Sequence, residues 1–527
     1  MSQAEATSTT QNHLGRIARA ASLVMVLFVV SRALGLLREM VITRQFGTSA
    51  DMDAYIAAFR LPDFLFYVVA GGALASAFIP IFAGYLTRRD LPGAWRLASA
   101  VINWVILILS GLGGLAAILA PWLVETFYGG FTPAQQALTT ELMRWMLIST
   151  VIFGVSGVVM GILNAWQHFL LPALAPIIYN GSIILGAWLL GPTWGVRGLT
   201  VGVVFGAAAH LLIQLPGLAQ YGMRYQPVLA WDEADLRQVG RLMAPRVLGL
   251  MVVQINFIVT IVLATRLPVG STAALNYGWI IMLLPQGIIA QSVATALFPT
   301  LAALAAQGEL EEMRRVFDTI VRNVLFLTLP AAAGLMILSA PLVRLLFERG
   351  QFDANSTRLT AWALTFFALG LVGHAVVEIA ARTFYALKNT KTPVIIGILA
   401  VLINIGLSFL LMTVFADNGW PPHAALALAN AIATTLEMAA LLILLQPLMG
   451  GLFEAGLKSS LTKMTLATTG MVLTLGGLMP LIPTDISWLP GIAGMLLGGL
   501  VYFGLAMLIG ISELRLVRQR LWRRLHR

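Results

Sequence analysis

SRALGLLRE, residues 31–39, lies inside an apolar run from about Ser22 to Ile42 that is long enough to cross a bilayer. At about 100° per residue, Ser31, Arg32, Gly35, Arg38 and Glu39 fall within an arc of roughly 120°. One side of this helix therefore carries two guanidinium groups and a carboxylate, and the other is Val, Met, Leu and Phe. Each charge near mid-membrane costs roughly 2.5–3.5 kcal/mol, so such a stripe must face a protein interior or a water-filled cavity. Two readings stand at this point. One is a structural ion pair between Glu39 and Arg32 or Arg38; the other is a cavity that handles an anion.

The composition places the stripe in context. The 527 residues are 59% hydrophobic and 11% charged, against about 25% charged in soluble chains. This is the composition of a polytopic membrane protein. The net charge of +10 raises nucleic acid as a partner, but Lys and Arg sit in loops and at the C-terminus, as topology signals do, and no nucleic-acid role follows. Cysteine is absent, which excludes disulfides, thiolate catalysis and Cys-ligated metal. The six His form no HxxxH or HExxH pattern, so neither a metal nor another cofactor is expected. No paired carboxylates at an aqueous face, Ser/His/Asp set or phosphate-cradling glycine loop occurs, and the chain does not read as an enzyme.

Apolar runs of about 20 residues give about fourteen spans. The first covers 22–42 and follows a polar stretch with Arg16 and Arg19. It is too long for a signal-peptide core and reads as an uncleaved span. The second, 54–85, is expected to break or kink near Pro62, which lacks a backbone donor, and to have a second irregularity at Gly71-Gly72. Later spans include 244–265, 276–301 and 360–385. With the N-terminus cytoplasmic, most Lys and Arg fall in cytoplasmic segments, including Arg88-Arg89, Arg314-Arg315 and the tail from Arg515 to Arg527. Both termini are therefore expected in the cytoplasm, with the tail anchored on anionic lipid.

The chain also repeats itself. GTSADMDAYIAAFRLP (47–62) resembles GSTAALNYGWIIMLLP (270–285), and LAAILAPWLVETFYGGF (115–131) resembles LMILSAPLVRLLFERGQF (335–352). The pairs Pro62/Pro285 and Pro121/Pro341 share an offset of roughly 220 residues, the mark of an internal duplication. The expected fold is all-α: two pseudo-symmetric six-helix lobes, with a site between them, plus two extra C-terminal helices. The expected segments are a cytoplasmic N-terminal tail (1–21), an N-lobe (22–220), a C-lobe (240–447), the two extra helices (460–511) and a basic tail (512–527).

Further charges join the stripe. Asp53 and Arg60 lie on the second span; Asp53 reads equally as a helix cap or a site residue, whereas Arg60 is too deep to cap. In the second half, His374, Glu378 and Arg382 share one helix face at i, i+4 and i+8. Glu378 and Arg382 read first as a structural pair, and His374 as a hydrogen-bonded core residue. Asn404, Asn430 and Glu437 read as interhelical bonding groups, Glu437 being the best placed for a cation.

These motifs resemble the MurJ (MviN) family of lipid II flippases, within the MOP flippase superfamily. The matching segments are SRALGLLRE (31–39), TRQFG (43–47), DAYIAAFRLPD (53–63), GALASAFIP (72–80), LNYGWIIMLLPQG (275–287), LFERGQFD (346–353) and FYALKNTKTPV (384–394). The resemblance implies a V-shaped, two-lobed transporter of the bacterial plasma membrane. It implies that Arg32, Arg38 and Arg60, with Glu39 and Asp53, bind lipid II, the undecaprenyl-diphosphate disaccharide-pentapeptide of peptidoglycan synthesis. It also implies a lipid-tail groove at 460–511, bias by the membrane potential or a coupling cation, and contact with membrane lipids and cell-wall synthesis machinery. Two departures stand out. Phe64 to Val69 contains no Arg, and Tyr277 is followed by Gly278-Trp279-Ile280 where an Asp-Arg pair is usual. Three alternatives remain at this stage: a flippase for another polyprenyl-diphosphate oligosaccharide, a cation-coupled exporter of the same superfamily, and a non-transporting cell-wall scaffold.

Overall fold

Apolar runs in lipid have no water to satisfy their peptide groups and must bond internally. The chain does so as helices, and no strand occurs among the described residues. The computed structural model describes residues 3–69, 73–453, 456–483 and 486–514 (for 3–24, the backbone path alone). Gly71-Gly72 and the basic tail from Arg515 lie outside the described residues, as do the side chains of Arg16 and Arg19. The chain divides into two compact units, Met1–Ile258 and Val259–Arg527.

In the first unit, α1 (Gln3–Phe46) is followed by α2 (Ala50–Val69), α3 (Ala73–Thr87), α4 (Leu91–Phe127), α5 (Pro133–Ala165), α6 (Leu170–Leu185) and α7 (Val196–Leu212). Helix α5 is the hub and packs against α2, α3, α4 and α7. Its most apolar stretch is 61% buried, against 28% for the span containing α6. Helix α6 lies between α1 and α7. The segment after α7 crosses back over α4: the Asn103 amide donates to the carbonyls of Gln226 (3.1 Å) and Val228 (2.8 Å), and Trp104 Nε1 to that of Leu229 (2.9 Å).

Helix α8 (Ala234–Ala264) contains the division between the units. The second unit continues with α9 (Ser271–Gln286), a π-turn at Gly287–Gln291, α10 (Ser292–Gln307), α11 (Leu310–Ile337), α12 (Ser339–Phe347), α13 (Ala354–Leu369), α14 (Leu371–Ala386), α15 (Lys391–Asp417) and α16 (Pro422–Leu448). The extra helices are α17 (Leu457–Leu478) and α18 (Leu489–Ile509). They dock on α11 and share its core of Phe317, Val321, Met464 and Met471. The buried Tyr502 hydroxyl of α18 donates to the Phe326 carbonyl at 2.7 Å.

The duplication recurs in the turns. Gln167 and Lys388 both take positive φ, 57° and 60°, at corresponding helix ends. Behind them, His168 N donates to Leu163 O and Asn389 N to Phe384 O, each at 2.9 Å. Thr132 caps α5 by accepting from Gln135 N at 3.3 Å, and Asp353 caps α13 by accepting from Ser356 N at 2.8 Å. Both pairs keep the offset of roughly 220 residues seen in the prolines.

By length and composition, ten helices among the described residues are able to cross a membrane, or eleven if α13 and α14, bent by 44°, make one span. The expected count of fourteen is not confirmed by that measure. The remaining readings, 22–42, 54–85 and 244–265, fall on α1, on α2 with α3, and on α8. These helices are the charged or interrupted ones. Helix α2 alone carries Asp51, Asp53, Arg60 and Asp63, and α3 has only 15 residues.

Candidate functional site: the charged face of α1 and α2

Helix α6 lies along α1 and brings an amide against the stripe. Arg38 Nε donates to Glu39 Oε1 at 3.1 Å, and Nη2 donates to the same oxygen. Arg38 Nη1 donates to Asn180 Oδ1 of α6 at 3.0 Å. The Asn180 Nδ2 in turn donates to the Pro176 carbonyl at 3.0 Å. The Glu39 carboxylate is buried, while the Arg38 side chain keeps 27% of its surface open. One turn earlier, a Cβ added at Gly35 would meet nothing within 4 Å. The stripe thus combines a paired, oriented guanidinium with open space beside it.

Arg32 is placed differently. It is exposed and its guanidinium lies over the Phe28 ring, 5.2 Å from the centroid. Six residues of helical rise place Arg32 about 9 Å along the axis before Arg38, and the contact with Phe28 draws its guanidinium toward the N-terminus.

Helix α2 supplies the second set. It runs through Pro62 without ending there, where the sequence reading expects a break or a kink. A membrane helix tolerates proline where neighbours satisfy the freed groups. The Thr150 hydroxyl of α5 donates to the Pro62 carbonyl at 3.3 Å and fixes α5 against α2 at this point; the carbonyl that the proline leaves without a helical donor is that of Ala58. The first half of α2 is held by Tyr128, whose hydroxyl donates to the Ala57 carbonyl at 3.1 Å, and by Gln135 Nε2, which donates to the Ala50 carbonyl at 3.2 Å. Asp53 is 2% exposed in the first turn. The Ser49 hydroxyl accepts from Met52 N at 3.3 Å at the start of the helix. Arg60 lies over the Phe257 ring at 5.7 Å. Asp63, one turn on from Arg60, lies within electrostatic reach of both Arg60 and Arg38.

Asp63 and Asn180 are the residues that the sequence reading passed over. Asp63 had a signal, since it stands at i+3 from Arg60. Asn180 had a weaker one, a lone amide in an apolar run. Elsewhere in this unit, clefts of about 490 and 560 Å³ flank the Arg197–Glu141 ion pair. Neither is lined by a stripe residue.

In the second unit, Arg382 Nη1 donates to Glu378 Oε1 at 2.5 Å, and Nη2 to the Thr295 hydroxyl at 3.4 Å. His374 Nε2 lies 3.1 Å from Asn430 Oδ1. Glu437 is half-buried on α16, and a Cβ on Gly397 of α15 would lie 3.7 Å from its Oε1. Among the described residues, no group of three His, Asp or Glu is arranged to hold a metal ion.

The family model described as lipid II flippase MurJ matches residues 42–492, starting just past the stripe. A probable lipid II flippase MurJ of Vibrio cholerae is 29% identical over 523 residues, covering 95% of this chain and 97% of that protein. The corresponding protein of Rhizobium tropici is 30% identical, covering 94% of each chain. Among solved structures, a lipid II flippase MurJ in an inward closed conformation matches with a TM-score of 0.78 at 26% identity, over 92% of this chain and 98% of that one. An inward-facing multidrug resistance MATE transporter of the MOP superfamily shares the fold, with a TM-score of 0.66 at 16% identity. This chain is a multi-span membrane protein, and it belongs to the lipid II flippase MurJ family.

Proposed function

We propose that the chain moves lipid II from the inner to the outer leaflet of the bacterial plasma membrane by alternating access, with Arg38 as the central contact to the diphosphate. The observation that carries this reading is the Arg38 guanidinium. It is ion-paired to Glu39, bonded to Asn180, and still partly open next to the vacant space at Gly35. A diphosphate calls for planar, bidentate donors, which Arg supplies and Lys does not. Arg60 and the exposed Arg32 complete the clamp, with Glu39 and Asp53 as its acidic members. Helices α17 and α18 take the lipid tail. Both termini are cytoplasmic, in line with the distribution of Lys and Arg.

The transport cycle needs a bias. The membrane potential acting on the cavity charges supplies about 2.3 kcal/mol per charge per 100 mV. A cation at Glu437 is a second source. Glu378 and Arg382 act in this reading as a structural pair. Cell-wall synthesis enzymes are the expected neighbours on the outer face.

The test is complementation of a strain depleted of its lipid II flippase. Wild type should restore growth, and Arg38→Ala and Arg32→Ala should fail while reaching the membrane at normal levels. Normal lipid II translocation by both variants in proteoliposomes would overturn the assignment.

A further inference from the structure

We propose that Asn180 is a positioning residue that fixes which donors of Arg38 are offered to the substrate. The inference rests on the reading of Arg38 as the diphosphate contact. A guanidinium carries five N–H groups. Glu39 takes one from Nε and one from Nη2, and Asn180 takes one from Nη1. One N–H on Nη1 and one on Nη2 are left. Both lie in the plane of the guanidinium, whose orientation the three bonds already made hold fixed. Glu39 alone engages a single edge through one oxygen and leaves the far nitrogen free to swing. The Asn180 bond at Nη1 removes that freedom.

The amide is itself oriented. Its Nδ2 donates to the Pro176 carbonyl in the preceding turn of α6, so its Oδ1 is the atom that must face Arg38. An aspartate would present the same oxygen and an alanine none. The contact spans 142 residues of sequence and ties the orientation of a residue on α1 to the placement of α6. Substrate affinity is thereby coupled to the packing of a helix that carries none of the cationic groups.

The experiment is equilibrium binding of lipid II to the full chain in lipid nanodiscs. Asn180→Ala and Asn180→Ser, whose side chains cannot reach Nη1, should each weaken binding on the order of tenfold, as expected for a lost bond to a charged group. Asn180→Asp retains the acceptor but loses the donor to Pro176 and adds a negative charge beside the diphosphate, so it should also bind more weakly than wild type. In an Arg38→Lys background the ammonium has no planar fork to align, so Asn180→Ala should add less than about a twofold change. Wild-type affinity in Asn180→Ala and Asn180→Ser, or a full tenfold loss repeated in the Arg38→Lys background, would overturn the positioning role. Wild-type affinity in Arg38→Ala would instead overturn the site reading itself. Thermal unfolding of each variant separates these losses from misfolding, since a purely structural role would lower stability equally in both backgrounds.

Discussion

Arg38 folds back onto the carboxylate of its own neighbour, Glu39, using both Nε and Nη2. Adjacent helical residues diverge by about 100°, so the pair closes only because the guanidinium bends across the helix surface. Glu39 is buried and makes Arg38 an oriented cation.

Replacing Glu39 should separate orientation from charge. Glu39→Gln keeps an oxygen at the same place and removes one negative charge from the cavity. The diphosphate then meets less repulsion, and lipid II affinity should rise several-fold while translocation slows through delayed release. Glu39→Ala leaves the guanidinium with Asn180 alone and should cost about 1.5–3 kcal/mol of stability. Unfolding in detergent and lipid II binding, measured on both variants, check the pair. Equal affinity and stability for Gln, Ala and wild type would show that Glu39 has no hold on Arg38.

A pH effect is expected at the start of α13. The Asp353 carboxylate accepts from Ser356 N, and this bond holds its pKa below the ordinary carboxylate value. A depressed folded pKa means that the stabilisation is fully present above the unfolded value of about 3.9 and is lost as pH falls through the folded one. Asp353→Ala should cost about 1 kcal/mol at neutral pH, and this cost should fade under acid. Asp353→Asn keeps the cap without a titrating group and should flatten that dependence. Thr132, the corresponding cap of α5, serves as the control, since Thr132→Ala should cost a similar amount at every pH. Unfolding midpoints from pH 3 to 7 test this, and an acid-independent loss in Asp353→Ala would refute it.

The sequence makes the costly features visible and leaves their partners hidden. Charges inside an apolar run identify the α1 stripe without any structure, and proline spacing reveals the duplication that the caps Thr132 and Asp353 repeat. Glu378 and Arg382 were legible as an i,i+4 pair because both partners lie on one helix. Asn180 was not, because its partner stands 142 residues away and only tertiary packing selects it. Periodicity places Arg32 and Arg38 on one face, but not the partners that part them: Arg32 lies over Phe28, while Arg38 turns to Glu39 and Asn180. Pro62 misleads for a related reason. Local chemistry calls for a break or a kink, and α2 continues through Pro62 where it is packed against α5.

The last prediction concerns the seam that holds α6 in place. Gly198, Gly202 and Gly206 form a small-residue stripe on α7, of the kind that lets membrane helices approach closely. A Cβ at Gly202 would stand 2.9 Å from the Ser182 carbonyl oxygen and 3.1 Å from the Gly186 Cα. Both are backbone atoms, of α6 and of the π-turn Gly186–Leu190 that continues it, and no side chain can swing aside to make room. Gly202→Ala should therefore push the helices apart and cost about 1–3 kcal/mol, the range for overpacking. The displacement would also move Asn180 away from Arg38, so lipid II affinity should fall with stability. Gly181→Ala is the matched control. It sits beside Asn180 on the same helix, but its added Cβ would meet nothing within 4 Å. It should be neutral or slightly stabilising, because Ala exceeds Gly in helix propensity by up to about 1 kcal/mol. Unfolding and binding measured on the two variants decide the matter: equal behaviour would mean that the approach of α6 to α7 does not govern the site.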